Sequence, residues 1–89
     1  MTNLRVKKDT NYKHLADVIS FKMRETDVIH IDGIGERPIY LATKAIAIAR
    51  GTLASRGINI TATPSFGEAI IDGNERTFMR LTVEKVERR

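Results

Sequence analysis

Two pairs of polar side chains have suitable chemistry for a metal site or for acid–base catalysis. His30 and Asp32 project from the same face of a predicted strand, and Glu68 and Asp72 belong to a predicted hairpin. A metal site needs three or four ligands, and His14 lies on a separate element. Carboxylates near an exposed turn more often serve solubility than catalysis. We therefore expect no metal site, a partly buried His30 and an Asp32 that ends its strand.

The serines do not have the surroundings of a catalytic nucleophile. Ser20, Ser55 and Ser65 stand in none of the strained-turn patterns that expose such a residue, and neither histidine is near a serine in sequence. Because the chain has no cysteine, it has no thiol nucleophile, no thiolate zinc site and no disulfide. We expect a protein without enzymatic activity and without a cofactor.

Cationic residues cluster before the first predicted helix, where they could bind an anion. Lys7 and Lys8 follow the first strand, and Asn11 and Lys13 come shortly after them. The net charge is +4, and an ordinary solvated surface would account for such a cluster. Contact with the phosphates of a polyanion is the alternative interpretation. The charge alone does not decide between a solvated surface and a site for phosphates.

The loop before the second helix is another candidate site for an anion. Residues 33–35 are Gly-Ile-Gly between a strand and a helix, where backbone amides and the helix dipole favour a phosphate. The loop matches neither the dinucleotide-binding nor the Walker pattern, and Glu36 places a negative charge beside it. We interpret it as a loop that brings Arg37 and a helix N-terminus to a phosphate backbone.

Hydrophobic spacing predicts the first three elements, which position these loops. Residues 4–6 form a short strand, and Thr10 or Asn11 offers an oxygen to cap the next helix. A second strand runs over residues 27–31. The helix between them extends over residues 12–24, with one apolar face made by Tyr12, Leu15, Ala16, Ile19 and Met23.

The second helix is apolar over much of its circumference. It has Pro38 in its first turn, runs to about Ser55 and stops at Gly57. Since one sheet cannot cover so much apolar surface in a small protein, we expect a subunit interface. The two neighbouring apolar stripes are Ile39, Ala42, Ile46, Ala49 and Leu53, and Leu41, Ala45 and Ile48.

The residue pattern in the last third of the chain predicts β-strands. Residues 58–63 alternate as in a strand, and Pro64 indicates an edge strand or a bulge. A hairpin follows, in which residues 69–71 and 77–86 are joined by the turn at Asp72-Gly73. The order β-α-β-α-β-β predicts a single α/β domain over residues 1–89, with a mixed sheet and two crossover helices in two layers.

This topology predicts where the positive charge gathers. Loops that follow parallel strands lie at the same edge of a sheet, so the loops with Lys7, Lys8 and Arg37 would converge there. We expect a basic rim without a pocket, which favours an extended polyanion over a small ligand. Further cations stand at the C-terminus, namely Lys85, Arg88 and Arg89. The hairpin is acidic at Glu68, Asp72 and Glu75, and we expect it to lie outside the contact surface.

Composition is that of an ordinary globular domain rather than a disordered chain, with 42% hydrophobic and 29% charged residues. The N-terminus carries charges where a signal peptide needs its apolar stretch, and no apolar run is long enough to span a membrane. We expect a protein of the cytoplasm, including the nucleoid.

Two segments carry a resemblance to a known family. Residues 43–51 (TKAIAIARG) and 71–77 (IDGNERT) closely resemble strings at matching places in the bacterial stage V sporulation protein S family, and the similarity is strongest from about Ile29 to Glu84. That family looks like a branch of the Alba-like fold. The resemblance implies a sheet of order 1-2-4-3, a homodimer, nucleic-acid binding and a role in sporulation or cell development.

The resemblance also implies positions for the site. Alba proteins carry paired lysines after the first strand, where this chain has Lys7-Lys8 followed by Asn11, with the spacing one residue shorter. Arg37 is the counterpart of an arginine before the second helix. The hairpin departs from the pattern, because Alba typically has a basic arm there and this chain has acids around a single Arg76.

Two hypotheses follow. The first is a dimeric nucleic-acid-binding protein that contacts the phosphate backbone with little sequence specificity. Its candidate contact residues are Lys7, Lys8, Asn11, Lys13, Arg37 and Lys44. The alternative is a protein-interaction module of a regulatory circuit that does not bind nucleic acid. Neither hypothesis involves a membrane or a small-molecule substrate.

Overall fold

The computed structural model describes residues 2–86, whose elements follow the predicted order. They are β1 (Thr2–Val6), α1 (Tyr12–Glu25), β2 (Val28–Gly33), α2 (Glu36–Ala54), β3 (Asn59–Ile71) and β4 (Asn74–Val86). The sheet has the order β1-β2-β4-β3, in which β1 and β2 are parallel and the other neighbours are antiparallel. This confirms the α/β fold class and the mixed sheet of order 1-2-4-3. Arg88 and Arg89 lie outside the described residues.

Helix α1 begins at a side-chain cap. The Asn11 side-chain oxygen accepts hydrogen bonds from the amides of Lys13 (3.0 Å) and His14 (3.1 Å), which have no partner inside the helix. The Thr10 hydroxyl instead accepts from the Lys7 amide at 2.8 Å and closes the preceding loop. Of the two predicted caps, Asn11 is therefore the one that the structure uses.

Replacing Asn11 with alanine tests this cap. We expect Asn11→Ala to lower the free energy of unfolding by about 0.5–2 kcal/mol, because two amides lose their acceptor. Asn11→Ser is the matched control, since serine also accepts a bond at this position. Urea denaturation measures both variants, and equal losses in the two would contradict the assignment.

Helix α2 is covered more completely within the chain than its composition predicts. It packs against α1 as well as against the sheet. Nearly all of its two apolar stripes are therefore buried or half-buried, and only Ile48 is exposed, at 41%. The two stripes therefore do not require a subunit interface to cover them, contrary to the prediction, because α1 covers α2 together with the sheet. No helix within residues 2–86 is long and apolar enough to cross a membrane.

Strands β3 and β4 form one long hairpin. β3 continues through Pro64, which lies opposite Leu81 in an unbroken register. The edge position of β3 is thus confirmed, and the bulge is not present; an edge strand tolerates proline because one row of its amides has no ladder partner. Asp72 (φ 52°) and Gly73 (φ 79°) make the turn, with the two positive φ angles of a type I′ turn.

The two faces of the sheet differ in chemistry. One face, which we call the helix side, carries the core residues Ile31 and Leu81, which lie opposite each other on β2 and β4. Because side chains alternate along a strand, the neighbours of these residues point to the other face, which we call the open side. A polar row crosses the open side through Arg5, Asp32 and Arg80 on β1, β2 and β4.

Candidate nucleic-acid interface

A cleft of about 590 Å³ lies where the two βα loops meet the β3–β4 hairpin, and we call it the basic cleft. The prediction of a rim without a pocket is therefore wrong. β2 ends at Gly33, opposite Met79, whereas β4 begins at Asn74. The hairpin thus runs past the end of β2 and supplies a third wall beside the two loops.

Cations outnumber carboxylates in the lining of the basic cleft. Two carboxylates line it, those of Asp32 and Glu36. The cations that line it are Arg5, Lys7, Lys8, Arg37 and Arg76. They come from β1, both loops and the hairpin, so the cleft gathers positive charge from segments far apart in the sequence. Such a lining favours an anionic ligand.

Asp32 is already paired within the chain. Arg80 donates from Nε to Oδ1 at 2.8 Å and from Nη2 to Oδ2 at 3.0 Å, which is a bidentate geometry. This hydrogen bonding, together with the charge of Asp32, raises the pKa of Arg80. Arg5 lies opposite Asp32 on the other side. Both oxygens of the Asp32 carboxylate therefore already accept a hydrogen bond from Arg80. Within residues 2–86, no three metal-ligating side chains cluster.

Arg37 joins the two loops. Its Nε donates to the backbone carbonyl of Lys8 at 3.0 Å, across 29 positions of sequence. Among the residues described, the guanidinium makes no other hydrogen bond, so its Nη groups can donate to a phosphate. Arg37 therefore positions the lysine loop and contributes charge of its own.

The structure brings together three of the six predicted contact residues. Lys7, Lys8 and Arg37 line the basic cleft. Asn11 caps α1, and Lys13 is exposed on its first turn. Lys44 lies outside the lining; its Nζ is 4.3 Å from the ring centroid of Tyr12, a cation–π contact that holds it on the helices.

The β3–β4 hairpin supplies four residues of the lining that were not among the predicted contact residues. Arg76 and Phe78 lie on the open side of β4 and line the cleft, together with Ala69 and Ile71 of β3. The acids Glu68 and Glu75 fall on the helix side, by the alternation of side chains along the strands. The hairpin therefore presents an acidic face on the helix side, and its open side, which carries Arg76, lines the cleft. The sequence does contain a sign of this arrangement. Because Met79, Leu81 and Val83 alternate on the apolar face of β4, Arg76 and Phe78 must point to the opposite face.

The fold is Alba-like. The structure is similar to that of Alba from Thermoplasma volcanium, with a TM-score of 0.66 over 93% of this chain and 99% of that chain, at 10% sequence identity. At that identity the likeness shows the fold alone. The sequence model of the stage V sporulation protein S (SpoVS) family matches residues 2–86. The chain therefore belongs to the stage V sporulation protein S family, which confirms the resemblance seen in its sequence.

Proposed function

We propose that this protein binds nucleic acid through the basic cleft, as a homodimer of the cytoplasm and without a catalytic step of its own. The observation that carries the proposal is the convergence of five cations from separate segments on one cleft. Lysines and arginines bind the phosphate backbone of nucleic acid, a polyanion, and such contacts do not depend on the base sequence. The family membership supports a role in sporulation or cell development.

The geometry of the loops supports phosphate binding in particular. The first turn of α2 borders the cleft, and its N-cap Gly35 has no side chain to occupy the free amides. Free amides at a helix N-terminus favour a phosphate oxygen. Arg37 stands in the same turn and ties this helix to the lysine loop, so the donors lie on elements held together.

The test is a salt titration with single-stranded and duplex oligonucleotides. Affinity is expected to fall as salt rises, with a log–log slope of about −0.7 per phosphate contact for a single strand and about −0.9 for a duplex. Lys7→Ala is expected to make the slope less steep by the contribution of one phosphate contact. Lys22→Ala, in the last turn of α1, is the control and is expected to leave it unchanged. No binding at about 50 mM salt would sink the proposal.

The proposed homodimer has support in the edge strand β3. Its helix side exposes Ala62, Pro64 and Phe66, and Phe66 is 77% exposed. A long edge strand with exposed apolar residues is an aggregation hazard unless something covers it. A second copy of the chain would cover it. Apart from its chain neighbours and the adjacent backbone of α2, no described residue has a heavy atom within 4 Å of where a Cβ at Gly51 would lie, so Gly51 leaves open space on the outside of α2. A close-packed partner would explain a glycine that weakens a helix.

A protein partner is the second candidate function. It is favoured by Ile70, which is 75% exposed on the hairpin and is not needed for contact with phosphate. Capture of partners from a cell extract, with and without nuclease, separates the two functions. Partners that remain after nuclease treatment would support this second candidate, and partners lost with the nucleic acid would support the first.

A further inference from the structure

We infer that the basic cleft binds a single strand, with one unstacked base inserted against Phe78 and the flanking phosphates on the surrounding cations. The inference rests on the proposed function and names its ligand as single-stranded rather than duplex nucleic acid. Phe78 lines the cleft on the open side of β4, within reach of the same ligand as Lys7, Arg37 and Arg76.

The Phe78 ring is held in place by its neighbours. It lies across Gly67, its partner on β3, so closely that a Cβ added at Gly67 would overlap the ring. Only glycine permits this contact. The guanidinium carbon of Arg80 lies 5.4 Å from the ring centroid, and Arg80 is itself fixed by its two bonds to Asp32. An aromatic side chain fixed in this way is a ready platform for stacking.

The cleft has the size and the lining for a base. Its volume of about 590 Å³ lies within the range of small-molecule sites, and much of its wall is apolar, including Val6, Pro38 and Ile71. A site that bound only phosphates would need cations on the surface and would not need an apolar cleft. Apolar depth beside cations matches a nucleotide, which has a flat apolar base and a charged phosphate.

A duplex cannot insert a base into the basic cleft. Its bases are stacked inside the helix, so that it offers a protein mostly phosphates and groove edges. Single strands can turn a base outward and stack it on an aromatic side chain. The combination of Phe78 at the wall and cations around it therefore favours the single strand.

The experiment compares a fluorescent 12-nucleotide single strand with the duplex of the same sequence at moderate salt. The wild type is expected to bind the single strand at least about fivefold more tightly, because stacking of one base is worth about 5- to 150-fold. Phe78→Leu is expected to lose that advantage and to keep its affinity for duplex. Phe78→Tyr, which keeps an aromatic ring, is expected to retain it.

The matched control is Phe21→Leu. Phe21, like Phe78, lies beside an arginine, with Arg24 at 5.6 Å from its ring centroid. It is 52% exposed, whereas Phe78 is half-buried, and it lies on α1 outside the cleft. Gly67→Ala is a second variant, which should displace the Phe78 ring without removing it and weaken single-strand binding in the same way. If melting curves show that Phe78→Leu is unfolded, Gly67→Ala replaces it in the comparison.

Three results would overturn the inference while nucleic-acid binding itself stands. They are duplex affinity equal to or above that of the single strand, equal single-strand affinities for Phe78→Leu and Phe21→Leu, and binding of adenosine monophosphate as tight as that of the 12-nucleotide strand. The last would assign the cleft to a free nucleotide. Absence of binding to every oligonucleotide at low salt would instead contradict the proposed function.

Discussion

The double variant Lys7→Glu with Lys8→Glu is expected to lose nucleic-acid binding by at least about 100-fold at moderate salt. The change leaves three cations in the lining of the basic cleft, Arg5, Arg37 and Arg76, and raises its carboxylates from two to four. Two phosphate contacts are lost, and two negative charges then face the phosphates. Like charges brought together at an interface cost several kcal/mol, which corresponds to a loss of this size.

The matched control is Lys22→Glu with Arg24→Glu, in the last turn of α1. Both double variants lower the net charge of +4 by the same four units, so a long-range effect of net charge acts equally on the two. We expect the control to stay within about threefold of the wild type, since it removes no phosphate contact. Fluorescence anisotropy measures the affinities, and melting curves check that each variant is folded. Equal losses in the two would show that net charge, rather than the basic cleft, governs binding.

The position of the two βα loops could be predicted from the sequence because local rules determine it. Short strands followed by helices predict parallel crossovers, and parallel crossovers place Lys7, Lys8 and Arg37 at one edge of the sheet. The same rules say nothing of Lys44, whose long side chain lies beside Tyr12 through a contact between two helices. Such a contact depends on how α1 and α2 pack, which no local pattern contains.

The cleft itself could not be predicted, because its third wall depends on register. Pro64 indicates an edge strand or a bulge, and β3 continues through it in one unbroken ladder with β4. Gly67 is explained by its contact with Phe78 rather than by a turn. The length of this hairpin beyond β2 creates the cleft, and the alternation of its side chains separates the acids from Arg76.

Phe66→Glu is expected to convert the proposed homodimer into a monomer. Phe66 is the most exposed large apolar side chain of the residues described, and it lies on the helix side of the edge strand β3. In a two-fold symmetric interface each substitution appears twice. A charge buried there without a partner costs about 3–5 kcal/mol, so the dimer dissociation constant is expected to rise more than about 100-fold. Sedimentation velocity measures the change. Phe21→Glu on α1 is the control of equal charge, and a wild-type monomer, or a dimer that survives Phe66→Glu, would contradict the proposal.

The loss of the dimer has a consequence for binding that separates it from damage to the cleft. A dimer presents two basic clefts, so a strand long enough to reach both binds with an avidity about 10²- to 10⁴-fold above that of one site. We expect Phe66→Glu to weaken binding to such a long strand strongly, and to leave unchanged the affinity for a strand that fills one cleft only. Phe66 lies on the face opposite to Phe78 and the cleft, so that a loss on the short strand as well would mean that the substitution disturbs the hairpin rather than the dimer.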